Sequence, residues 1–194
     1  KKPVFFVLID NFRLDQWILI KPLLEQFFVI SEDTTYCSIL PTSTQYARNS
    51  IFSGLMPSEI KSRYPNLWVD DFEVGGKNLH EEELINELIN RHNKSLRTSF
   101  NKILNLDSGK KLVEKINDLM NNDLNIVIYN FVDFLSHAKT DVKMIKELAG
   151  NEKSYRDLTL TWFKNSPLFE LFKELSLKNI DLIITTDHGT INVQ

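Results

Sequence analysis

The stretch VFFVLID, residues 4 to 10, is apolar on both faces of an extended chain and stops at an aspartate. A strand with one wet face alternates apolar and polar residues. A run without alternation suits a strand covered on both sides, as in a parallel sheet packed between helices. Two more runs share this character. Ile126 to Tyr129 opens a strand that continues through Phe131 and Val132 to Asp133, and Ile180 to Thr186 (IDLIITT) runs into Asp187-His188-Gly189. Tyr36 to Leu40 is the remaining expected strand, closed by Pro41.

Helical periodicity separates these runs. Residues 80–91, HEEELINELINR, put Leu84, Ile85, Leu88 and Ile89 on one face with acids in the first turn. Residues 108–121 space Leu112, Val113, Ile116, Leu119 and Met120 as a helix, and 140–149 and 152–164 read likewise. Ser166-Pro167 is a start signal, an N-cap followed by proline at the first helical position, for a helix to Leu177. Asp15 is placed to cap a helix that Pro22 should kink or split. Residues 95–104 fit strand and helix equally. Strands alternating with helices predict an α/β fold, a mainly parallel central sheet with helices on both faces. A length of 194 residues, 42% of them apolar, suits one domain.

A net charge of −3 excludes a broad cationic surface for long nucleic acid. No apolar run approaches the ~20 residues of a membrane span. The single cysteine, Cys37, lies inside an apolar run and is expected to be a buried structural thiol. It has no partner for an internal disulfide, which fits a reducing, cytoplasmic setting.

Ligands of open parallel sheets bind in the crevice at the carboxyl ends of the strands. There the expected strands deliver Asp10, Asp133 and Asp187, while the 36–40 run leads to Thr42, Ser43 and Thr44. A helix follows, with Ala47, Ile51 and Leu55 on one face and Gly54 and Pro57 at its exit. His137 and His188 accompany two of the aspartates; His80 and His92 belong to solvated helix ends. Three carboxylates in one crevice repel one another, and divalent metals relieve that repulsion. Oxygen plus imidazole donors suit zinc or manganese. The hydroxyls of residues 42–44 stand at a helix N-terminus, either as caps or beside a seat for phosphate. Arg48, one turn past Thr44, reaches either a phosphate oxygen or a salt bridge; Arg13 is the other nearby cation.

The set Ile9-Asp10-Asn11-Phe12-Arg13, Pro41-Thr42-Ser43-Thr44, Asp133 with His137, and Asp187-His188-Gly189 resembles the alkaline phosphatase superfamily. Within it the set is most similar to the PglZ domain, as in PorX-type response regulators. The motifs span residues 10 to 189 in the family's order. The resemblance implies that Thr44 is a metal-bound nucleophile and that Asp10, Asp187 and His188 hold the metal activating it. It also implies that Asp133 and His137 hold a second zinc, with a further histidine beyond the DHG motif. No histidine follows His188 up to Gln194, so the expectation is either that the domain continues or that its second metal site is incomplete. Arg48 and Asn11 are candidate substrate contacts.

The expected activity is two-metal phosphoester hydrolysis, in which metals clamp the attacking and leaving oxygens. The residues leave monoester and diester open. The likeness to PorX-type proteins favours a diester, a short or cyclic oligonucleotide, and an attached receiver domain. The rival expectation is a non-catalytic signalling module with a structural metal. A receiver domain itself fits poorly, because the last strand ends in Asp-His where that fold expects a lysine.

Overall fold

The computed structural model describes residues 2–130 and 151–190. The helix expected over 140–149, Asp133 and His137 lie outside the described residues. The chain forms two compact units, Lys1–Tyr36 with Thr98–Gln194, and Cys37–Arg97. In chain order the first part runs β1 (Val4–Ile9), α1 (Leu14–Leu24), α2 (Thr44–Ser53), α3 (Pro57–Arg63) and α4 (Glu81–Arg91). It continues β2 (Thr98–Ile103), α5 (Leu106–Glu114), α6 (Ile116–Leu119), β3 (Leu124–Tyr129), α7 (Glu152–Lys164), α8 (Pro167–Ser176) and β4 (Asp181–Thr185).

The first unit is an α/β structure on a four-stranded, all-parallel sheet, ordered β2-β3-β1-β4, with helices around it. β1 lies between β3 and β4, which explains why VFFVLI carries no polar residue. Phe5, Val7 and Ile9 enter one core, and Leu8, with Ile126 and Ile128 of β3, is buried on the other face. The Phe5 face packs against Ile20 and Leu24 of α1, Leu112 of α5, Ile116 of α6, Phe163 of α7 and Leu168 and Phe172 of α8. Each fully buried side chain of this size contributes about 1.5–3 kcal/mol. Ser166 caps α8 by accepting the Phe169 N–H at 3.3 Å, and Pro167 occupies the first turn as expected.

Several expectations change. Residues 36–40 form no strand, and Cys37 among them is exposed, not buried. The fourth strand is β2, TSFNKI, on the flank of β3. Its half-buried, partly polar residues blur its period, because Ser99 and Asn101 serve hydrogen bonds. Ser99 Oγ donates to Asn125 Oδ1 at 2.7 Å, and Asn101 Nδ2 donates to Ser99 Oγ at 3.2 Å. Asn125, fully buried in β3, spends its own amide on Leu119 O at 3.0 Å. Strand propensity at 36–40 is insufficient because a strand needs a paired neighbour. At α1, Gln16 rather than Asp15 completes the helix start, accepting the Arg13 N–H at 2.9 Å. The helix runs through Pro22 to Leu24 unsplit, with the proline confined to its last turn.

In the second unit α2 and α4 pack together. α2 turns its Gln45-Ala47-Arg48-Asn49-Phe52-Ser53 side inward, whereas Ile51 and Leu55 are only half-buried. The polar members hold the loop that follows: Gln45 Nε2 donates to Val69 O at 2.7 Å and Asn49 Nδ2 to Lys77 O at 3.2 Å. Gly54 ends α2 in the left-handed region, φ 62°, where a Cβ would stand 2.9 Å from Leu88 Cδ1. Among the described residues no helix is long and apolar enough to cross a membrane.

Candidate metal centre

β1 and β4 are neighbours in register, with Leu8 opposite Thr185. Two residues further on, the same register brings Asp10 beside Asp187. Asp10 extends the ladder on its other side, donating its N–H to Tyr129 O at 2.9 Å. Asp10 and Asp187 are fully buried, and His188 is 7% exposed. One donor atom from each of the three lies within 4.8 Å of the other two. His188 Nε2 stands 3.5 Å from Asp10 Oδ1 and 3.9 Å from Asp187 Oδ2.

The two oxygens of Asp187 have different surroundings. Oδ1 accepts the Asn11 N–H at 3.1 Å and the His188 N–H at 2.9 Å. Oδ2 is the oxygen nearer the imidazole. Asn11 reaches Oδ1 because its backbone is left-handed, φ 57°, a region asparagine tolerates better than most residues. Thr186 Oγ1 accepts the Phe12 N–H at 3.0 Å and donates to His188 O at 2.9 Å. Arg13 lies along the same loop: its Nη1 donates to Thr190 O at 3.4 Å, and a Cβ on Gly189 would meet Arg13 Cγ at 3.1 Å. Burial disfavours a charged His188, but the hydrogen bond to Asp10 and the charges of Asp187 and Asp10 outweigh it and raise its pKa.

This donor set fits a divalent cation. Ligand atoms about 2.1 Å from a tetrahedral zinc are about 3.4 Å from one another. The two imidazole-to-carboxylate separations need close only slightly to match. Two buried carboxylates beside one imidazole leave a net negative charge in a dry site, which a cation neutralises.

The other expected site residues are described each within its own unit. Thr44 is the first residue of α2 in the second unit, and its carbonyl accepts from Asn78 Nδ2 at 3.2 Å. Ser43 is the N-cap by position but makes no side-chain cap hydrogen bond. Arg48, expected at a phosphate oxygen or in a surface or salt-bridge role, is fully buried and forms the salt bridge, its Nε 3.4 Å from Glu81 Oε1. Its charge is spent inside the unit. Asn11, a candidate substrate contact, is buried against the Asp187 loop. Asp133 and His137 lie outside the described residues. Thr186 escaped notice in the sequence, although its place directly before Asp187 in TTDHG was the available signal.

No curated protein matches the chain significantly. A family match covers the whole of it: residues 1–194 fit the BREX system PglZ alkaline phosphatase-like domain. The parallel sheet with an Asp-Asp-His group at its strand ends agrees with that assignment, and the chain belongs to the PglZ family of alkaline phosphatase-like domains.

Proposed function

We propose that this domain is a metal-dependent phosphoesterase, with Asp10, Asp187 and His188 holding one divalent ion, zinc or manganese, and Thr44 as the nucleophile. The observation that carries this reading is the buried Asp10-Asp187-His188 group. A bound ion there supplies charge neutralisation and lowers the pKa of an attacking oxygen. Asp187 has Oδ1 engaged by two backbone N–H groups, and its Oδ2 is the oxygen on the side of His188 Nε2, at 3.9 Å. Thr44 stands in the first turn of α2, where backbone N–H groups not used within the helix can hold a phosphate oxygen. A threonine hydroxyl is a poor nucleophile until its proton is removed, so its activity depends on the ion. Family membership supports Asp133 and His137 as ligands of a second zinc. The substrate in this reading is a phosphate ester, a short or cyclic oligonucleotide diester, and a receiver domain is the attached partner. The charge of −3 opposes long nucleic acid.

Elemental analysis and turnover of a chromogenic phosphodiester test it together. Asp187→Ala should lose bound metal, and Thr44→Ala should keep metal while losing turnover by several orders of magnitude. Thr42→Ala and Ser43→Ala should retain most activity. Metal content untouched by Asp187→Ala, or an active, folded Thr44→Ala, refutes the assignment concerned. Metal-loaded wild type without turnover on any phosphoester would instead favour the signalling module.

A further inference from the structure

We infer that Thr186 is a positioning residue of the metal centre, its hydroxyl locking together the two loops that carry Asp10 and the Asp187-His188 pair. The inference rests on reading Asp10, Asp187 and His188 as ion ligands. A hydroxyl has one proton to give and lone pairs to receive. At Thr186 both are engaged, in opposite directions. The proton goes to the carbonyl of His188, itself one of the three donors, at 2.9 Å. A lone pair takes the N–H of Phe12, two residues past Asp10, at 3.0 Å.

Phe12 and His188 belong to different strand exits, so this one oxygen couples the β1 and β4 loops. A second backbone link between them is the Asn11 N–H to Asp187 Oδ1 bond at 3.1 Å. With both in place the carboxylate of Asp187 and the backbone of His188 are held relative to the β1 exit. Oδ2 and Nε2 are thereby left to converge on one point with Asp10 Oδ1. Without the hydroxyl, the His188 backbone loses its tie to Phe12, while the Asn11 bond, the His188–Asp10 contact at 3.5 Å and the Arg13–Thr190 bond at 3.4 Å remain between the loops. Hydrogen-bonding partners of metal ligands commonly matter by 10–100-fold in affinity, because they fix the orientation in which a ligand meets the ion. Valine has the shape of threonine without the hydrogen bonds, so it isolates the hydroxyl; serine keeps the hydroxyl and loses the methyl.

The experiment uses the full chain stripped of metal, as wild type and as Thr186→Val, Thr186→Ala and Thr186→Ser. Zinc affinity is measured by competition with a chromogenic chelator, and the visible spectrum is recorded with cobalt in the site. Thr186→Val and Thr186→Ala should bind zinc about 10–100-fold more weakly, with altered cobalt bands. Thr186→Ser should stay within about threefold of wild type, far inside that range, with the wild-type spectrum. Wild-type affinity and spectrum in Thr186→Val overturn the inference alone, as does a Thr186→Ser as weak as Thr186→Val. If both variants lacking the hydroxyl fail to fold even with zinc present, the hydroxyl is structural and the inference is overturned. A wild type that binds no ion overturns both this inference and the metal reading beneath it.

Discussion

Asn11 spends a left-handed backbone, φ 57°, on delivering one N–H to Asp187 Oδ1. An ordinary L-residue pays about 1–2 kcal/mol to stand in that region, whereas glycine stands there freely. Asn11→Gly should therefore unfold within a few tenths of a kcal/mol of wild type, and Asn11→Val should lose about 1–2 kcal/mol or more. Chemical denaturation of the metal-free chain checks this. Equal stabilities would show that the turn relaxes and that the N–H is not held by backbone geometry. Arg48 illustrates the opposite economy: a fully buried guanidinium beside Glu81, where removing either member of the buried pair costs about 3–5 kcal/mol.

Helix starts in this chain are secured in different ways. Ser166 caps α8 with a side-chain bond to Phe169 N and a second, donated to Phe163 O at 2.7 Å. Ser43, at the equivalent place on α2, makes no such bond. Ser166→Ala should lower stability by about 1 kcal/mol or slightly more, and Ser43→Ala should be close to neutral. Thermal midpoints of the two variants compare them directly. A Ser43→Ala as damaging as Ser166→Ala would show that the hydroxyl cluster at 42–44 exists to cap the helix.

Across the first unit, Arg13 ties the start of α1 to α7. Its guanidinium donates to both oxygens of Asp15, at 2.9 and 2.7 Å, pairs with Glu152, and lies over the Tyr155 ring at 5.3 Å. Arg156 adds a contact to Asp15 at 3.3 Å. Burial raises the pKa of Asp15, but the bonds and charges of Arg13 and Arg156 outweigh it and hold it below the usual carboxylate value. A depressed folded pKa means stabilisation that is complete above the unfolded value of about 3.9 and lost as pH falls below it. Asp15 is 38% exposed, so solvent screening limits the effect to about 0.5–1 kcal/mol. Asp15→Asn should be less stable than wild type by that amount at neutral pH, and the difference should vanish as pH falls through the depressed folded-state value, below the usual carboxylate range. Denaturation midpoints across pH test it; a constant gap would remove Asp15 from the acid response.

Local chemistry was enough for much of this molecule. The unbroken apolar run at β1 determined a parallel strand covered on both faces, whereas β4, of the same character in sequence, has only exposed and half-buried residues. Ser166-Pro167 determined a helix start, and the aspartates closing β1 and β4 were legible as a group because parallel strands deliver their ends to one side. Tertiary structure decided the rest. Residues 36–40 carry strand propensity but find no paired neighbour, while TSFNKI, ambiguous alone, becomes β2 by pairing with β3. The burial of Arg48 with Glu81 depends on α2 meeting α4, a contact between residues 33 positions apart that no local pattern specifies. The hydroxyl of Thr186 acquires Phe12 as a partner only when the exits of β1 and β4 lie side by side. Hydrogen bonds between such distant positions depend on the register of the folded sheet, which propensity and periodicity do not encode.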